Sequence, residues 1–373
     1  MDDPDWKIRK SAIESLGNSP GARSKSISAL AKKLNDHEPE VVRAAIVSLG
    51  RIGRGSSQAE EAVSQFAGDH DTATNECAIV ALMNIKSNID DASVPILMKS
   101  LGSDDEHLFM LAGATIAGAD APTFQRLVPP LMQNLESDRE SQVSRTLILL
   151  GHLQKHSALL SDALLTQYDK VRSQAHPQML QVLSSLDPKA ERSNAILLKA
   201  LNDASPATRK QAIVSLAKAG RDQSVLLPIL ASALKDPDLD VRVQAFKVIR
   251  SYGDGMSAAY PLVTSGLQDE DPNIRVAALE ALPSFKKSSR NMIEILEQVA
   301  EKDKDPGVRT AAFATLSDTG AIHTPDLIPF LEKSLATEVD SNVKTFLSDT
   351  VTILRRRMAL EKGGMIPGEQ LGR

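Results

Sequence analysis

The hydrophobic pattern of the chain recurs with a fixed period. One column of small or apolar residues runs Ala12, Ala45, Ala78, Ala112, Thr146, Met179, Ala212, Ala245, Ala278, Ala312 and Phe346, with every step 33 or 34 residues. Apolar residues follow directly after it, as at Ile13, Ile46, Leu147, Ile213, Phe246 and Leu279. They return four residues on, as at Leu16, Leu49, Leu82, Leu216 and Leu316, and stand four residues before it at Ile8, Val41, Val241, Ile274 and Val308. These offsets share one side of an α-helix, so each unit holds an amphipathic helix in constant register. A sustained period of this length predicts a tandem array, in which each unit buries its apolar face on its neighbours.

Polar punctuation keeps the same phase. Asp3, Asp36, Asp69, Asp203, Asp236, Asp269 and Asp303 stand nine residues upstream of the column, and proline often follows closely, as in Asp236-Pro237. Aspartate can accept the orphan amides of a helix start and proline suits the first helical turn, so this column marks the entry to the periodic helix. Arg9, Arg209, Arg242, Arg275 and Arg309 form a further column. An earlier apolar segment in each unit predicts a second helix per repeat. Pro95, Pro129, Pro228, Pro261 and Pro329 lie within those segments, each seventeen residues before the column. A proline inside a helix removes a hydrogen bond and bends it, which predicts one repeated bend.

A first helix, a turn with Asp and Pro, and a second helix opening Val-Arg-x-x-Ala resemble the HEAT-repeat family. The fullest copies run from Asp236 to Ala245 and from Asp271 to Ala278. The short period is most similar to the HEAT-like repeats of phycobilisome lyase subunits. The resemblance implies an all-α fold, a right-handed α-solenoid of about eleven two-helix repeats, one for each member of the column. It also implies that Asp203, Asp236, Asp269, Asp303, Arg209, Arg242, Arg275 and Arg309 are a structural ladder that bridges repeats and caps turns. We expect one solenoid over residues 1–362 and a disordered tail over 363–373. The first repeat is incomplete, and the chain reads as part of something longer. Repeats near 103–187 are degenerate: Ser103, Ser137 and Lys170 replace Asp, and around the Arg position they carry Phe109, a retained Arg145 and Gln178, the loss of Arg beginning one repeat earlier at Asn75.

Composition narrows function more than fold. Hydrophobic residues make up 42% of the chain and aromatics 3%, so a core of Leu, Ile, Val and Ala is expected. A net charge of -5, with acidic and basic residues interleaved, argues against nucleic acid or an anionic membrane as partner. A HEAT-like DNA glycosylase is disfavoured by the same charge and by Trp6 being the single tryptophan. The lone Cys77 excludes an internal disulfide and a multi-cysteine zinc site, and favours a cytoplasmic protein, although a disulfide-free secreted protein would read the same. No apolar run is long enough for a transmembrane helix.

Candidate chemistry is sparse. Among seven histidines, His152 and His156 are spaced i, i+4 but lack a His-Glu-x-x-His frame, so no metal site is expected. A HEAT-like di-iron enzyme would need several His-Glu dipeptides, and only His37-Glu38 occurs. Gly50-Arg51-Ile52-Gly53-Arg54-Gly55 mimics a phosphate loop but follows a helix and lacks Gly-Lys-Ser/Thr, which makes it an inter-repeat loop. Arg355-Arg356-Arg357 closes the last helix, where cations favour the helix dipole. No catalytic residue and no cofactor are assigned.

By the family resemblance the second helices line the concave surface. Positions two before and two after the column then face outward, and they mix apolar residues with charges of both signs. That mixture suits a protein segment better than nucleic acid. Tight curvature burying these residues on one another is the competing reading. The expected function is a non-catalytic scaffold or adaptor, a monomer on its own. It would grip a protein or peptide partner through Arg43, Val47, Glu76, Val80, Lys210, Val243, Lys247 and Glu280. The alternative is an accessory subunit of an enzyme, such as a bilin lyase component.

Overall fold

The computed structural model describes residues 2–18, 23–86, 89–91, 93–285, 290–318 and 326–361, with the side chains of 290, 291 and 359–361 left aside. The tail expected to be disordered, 363–373, lies outside these residues. All regular elements among the described residues are helical, and the chain divides into two compact units, Met1–Ile196 and Leu197–Arg373. The first contains α1 (Trp6–Gly17), α2 (Arg23–Lys33), α3 (Pro39–Ile52), α4 (Ser57–Ser64), α5 (Thr72–Lys86), α6 (Val94–Leu101), α7 (Glu106–Ala117), α8 (Ala121–Asn134), α9 (Glu140–His152), α10 (Ser157–Gln167) and α11 (His176–Leu186). Helix α12 (Asn194–Ala200) runs across the boundary. The second unit continues with α13 (Pro206–Lys218), α14 (Gln223–Ala233), α15 (Leu239–Tyr252), α16 (Tyr260–Gly266), α17 (Pro272–Ala281), α18 (Arg290–Lys302), α19 (Pro306–Asp318), α20 (Leu327–Thr337) and α21 (Ser341–Glu361).

The periodic column falls in the odd-numbered helices, which are the second helices of the repeats. From Ala45 to Ala312 every member of the column is fully buried. Small residues there let backbones approach, while Leu49, Ile116, Leu216 and Leu316 fill the space one turn further on and are equally buried. Each such aliphatic side chain contributes about 1.5–3 kcal/mol by leaving water. In the first repeat Ala12 and Leu16 are only half-buried and Ile8 is exposed.

The aspartates build the turns. The Oδ1 atoms of Asp3, Asp203, Asp236, Asp269 and Asp303 each accept a backbone amide two residues on, at 2.8–2.9 Å. A second side chain then caps the helix: Asp238 accepts from Val241 N at 3.2 Å and Asp271 from Asn273 N at 2.8 Å. Pro206, Pro272 and Pro306 open α13, α17 and α19, where their missing amide costs nothing. The first-helix prolines follow no single rule. Pro129 and Pro228 sit inside α8 and α14, but Pro95 and Pro261 lie in the first turn of α6 and α16 and bend nothing. Those two helices start later than their phase implied, so one repeated bend is replaced by two arrangements.

The arginines tie repeats together. Arg209 donates Nε and Nη2 to the Asp236 carboxylate at 2.7 and 2.6 Å, and Nη1 to the Asp203 carbonyl at 2.8 Å. Arg275 holds Asp303 in the same fork at 2.8 Å, Arg9 holds Asp36 at 2.8 Å, and Arg309 holds Glu338 at 2.9 and 2.7 Å. The forks hold their carboxyls in the charged form: the Asp36 and Asp236 carboxyls lie below their ordinary range, and Glu338 is brought down to about 2. In the degenerate repeats neutral amides take over. Buried Asn134 accepts from Gln142 Nε2 at 2.8 Å and donates to the Met98 carbonyl at 3.1 Å. Phe109, at an arginine position, is covered by the Arg145 guanidinium 4.7 Å from its ring centroid.

Candidate functional site

The second-helix face is not built alike along the chain. In the early repeats of the first unit, glycines bring helices into contact. A Cβ added to Gly17 would lie 2.5 Å from Ser48 Oγ, and one added to Gly50 would lie 2.9 Å from Ala81 Cβ and 3.0 Å from Leu111 Cδ1. Helix α3 therefore touches α5 and α7 together, and its residues from Val41 to Gly50 are buried apart from half-buried Arg43. His107 Nε2 lies 3.2 Å from Glu14 Oε1, so the second helices of repeats one and four meet.

This packing corrects part of the expected surface. Val47 is 3% exposed and Val80 0%, so neither can meet a partner. Arg43 is committed to Glu40 and, at 2.9 Å, to Asp71, while Glu76 pairs with Lys99. The offset rule that placed the two valines outward holds for a helix with one free side; α3, which carries Val47, has none, and on α5 Val80 is sealed by its neighbours.

In the second unit the same face opens into a groove of about 330 Å³ between α15 and α17. Three expected residues, Val243, Lys247 and Glu280, line it together. Phe246 and Val276 complete an apolar floor, and Asp240, Arg250 and Asn273 stand at its margins. Glu280 accepts from Arg250 at 3.1 Å, and Asp240 pairs with Lys210 at 3.3 Å. Lys247 is exposed and makes no ion pair among the described residues. Lys210, the remaining expected residue, thus stands beside the groove through its bond to Asp240.

Two features distinguish this joint. Arg250 occupies the register position that Gly17 and Gly50 fill in the first unit, five residues past the column, and a long side chain cannot enter a contact of that closeness. The ladder also lacks a rung here. Arg242 donates Nη1 to the carbonyls of Asp236 and Pro237 at 2.9 and 3.1 Å, but its buried Nε has no acceptor. The carboxylate of Asp269, its expected partner, accepts the Asp271 amide at 2.9 Å and no arginine among the described residues. The rung inferred for Arg242 and Asp269 is therefore unformed, although both residues stand at the right spacing. The glycine-to-arginine change is visible in the sequence, but it marks a contact between helices and not a face of one helix, so the pattern of a single helix does not flag it.

The other chemical candidates are structural. Burial pushes the Cys77 thiol up to about 12. His156 stacks on Phe124 with centroids 3.7 Å apart, and burial pushes its pKa down. His152 lines a different groove of about 260 Å³ with Ile148, Gln178 and Gln181, so the two histidines do not combine. His323 lies outside the described residues. Among the described residues no group of three or more His, Cys, Asp or Glu is placed to hold a metal, and no helix is long and apolar enough to cross a membrane. The glycine-rich segment is an inter-repeat connection: Gly55, at φ +73°, donates its amide to the Ile85 carbonyl at 2.8 Å.

Comparison with known proteins places this architecture. No curated protein matches the sequence. Among solved structures, Kap121p bound to Pho4p is similar at 13% identity and a TM-score of 0.60, over 94% of this chain and 44% of that one. Kap95p, the yeast importin-β, is similar in its complex with Nup1 (12% identity, TM-score 0.56, 96% and 55% of the two chains). It is also similar in its complex with RanGDP (13%, 0.55, 94% and 53%). The chain spans about half the length of these structures, and identity this low speaks for the fold alone. The HEAT-repeat sequence profile matches residues 1–56, 194–282 and 260–346, more than half of the chain. With the phased column, the capped turns and the helix pairs, this match shows that the chain belongs to the HEAT-repeat family.

Proposed function

We propose that the chain is a non-catalytic scaffold that holds a protein partner on the second-helix face of its second unit. The observation that carries this reading is the groove between α15 and α17, where Val243, Lys247 and Glu280 converge. An apolar floor with a charged rim is the usual anatomy of a protein-binding patch. The similar folds of Kap121p and Kap95p have been solved with Pho4p, Nup1 and RanGDP, which supports a protein as the class of partner. Of the first-unit residues expected to take part, Arg43 and Glu76 remain near the surface but are engaged in ion pairs. They are secondary to the groove. The lyase-accessory alternative rests on the repeat resemblance alone.

The test is affinity capture from the source cells with the parent chain and with the double reversal Lys247→Glu/Glu280→Lys. Circular dichroism should show both folded. The scaffold reading predicts that proteins captured by the parent chain are depleted with the double variant. Full retention of every captured protein would sink it.

A further inference from the structure

We infer that the α15–α17 groove takes a short partner segment in which an apolar side chain is followed closely by a carboxylate. This rests on the scaffold reading and specifies the chemistry of its partner.

Most charges around the groove are already met. Asp240 is held by Lys210 at 3.3 Å, Arg250 by Glu280 at 3.1 Å, and Asn273 Nδ2 donates to Asp271 at 3.0 Å. What remains is one exposed ammonium, that of Lys247, above a floor of Val243, Phe246 and Val276. The complementary ligand places apolar carbon on that floor and negative charge over Lys247. A space of about 330 Å³ is at the lower end of ligand-sized cavities, enough for a few side chains of a segment and too small for a globular surface. Across the groove Arg250 is clasped by Glu280, and beside it the rung from Arg242 to Asp269 is unformed. The groove between α9 and α11 makes a useful contrast: Ile148, Gln178 and Gln181 line it with no permanent charge, so it has no basis for selecting an acid.

Fluorescence anisotropy with the full chain tests this. The probes are two short fluorescein-labelled peptides, one with a leucine pair followed by a glutamate pair, the other with lysines in place of the glutamates. The acidic peptide should bind about tenfold more tightly, the scale for turning one exposed attraction into a repulsion. Lys247→Glu should reverse the preference, while Lys344→Glu, exposed on α21, should leave it unchanged. Equal affinity for the two peptides, no binding of either, or a preference untouched by Lys247→Glu would overturn the inference. If affinity capture still shows groove-dependent partners under that result, the scaffold reading stands and only the acidic-segment assignment falls.

Discussion

Val80 and Lys247 both stand two residues past the repeat column, yet one is sealed among helices and the other rims a groove. The early repeats of the first unit close their second-helix face with glycine: Gly17 meets Ser48, and Gly50 meets Ala81 and Leu111. The second unit places Arg250 at the same step and leaves the Arg242–Asp269 rung open. In a repeat array each joint is a separate interface between neighbours, so a face can be core at one joint and surface at another. The pattern that builds the array therefore leaves the location of a binding surface to positions outside the pattern.

The sharpest way to break this comparison is to attack formed and unformed rungs alike. Asp303→Asn keeps the turn acceptor but removes the charge facing the buried Arg275, and should cost about 3 kcal/mol. Asp269→Asn makes the same change where no rung exists and should cost less than about 1 kcal/mol. Hydrogen exchange read separately over α15–α17 and α17–α19 distinguishes the two. Equal losses would mean that the open rung is closed in solution.

Next in size is the glycine contact. Gly50→Ala forces a methyl to within 3.0 Å of Ala81 Cα, a backbone atom that cannot swing aside. Overpacking should outweigh the better helix propensity of alanine and destabilise the first unit by about 2 kcal/mol in urea titration. A stabilised variant would show that α3 and α5 have slack.

Acid probes the charged rungs more gently. The Glu338 carboxyl, brought down to about 2 by Arg309, contributes stability that is present above its ordinary value of 4.5. That stability is lost as pH falls from there toward 2, when the carboxylate is protonated. Exchange protection of α19–α21 should be level above about pH 5 and decline below it. In Glu338→Gln the decline should be shallower. The smallest effect is expected from Lys210→Met, which opens an exposed pair and should change stability by less than about 1 kcal/mol.

Much of this fold could be read directly from residues. The column predicted the odd-numbered helices because burial at one offset is a property of a single helix. The Asp positions predicted turns because capping is local. Pairwise properties escaped. Arg242 and Asp269 are 27 residues apart, as are Arg209 and Asp236, but only the second pair is bonded. Which pair closes is a property of two packed segments, and no single segment encodes it. Val47 and Val80 were misplaced for the same reason. Three of the expected surface residues did converge, because in the second unit Val243, Lys247 and Glu280 lie on helices with a free side.

Thiol accessibility tests the central claim most directly. Val80→Cys and Val243→Cys each place a thiol on the second-helix face, with native Cys77, buried in α5, as internal control. In the folded chain an aromatic disulfide reagent should modify Val243→Cys readily. It should leave Cys77 and Val80→Cys untouched until denaturant is added. A Val80→Cys thiol that reacts as fast as that of Val243→Cys would contradict a face sealed over α3–α5 and open between α15 and α17.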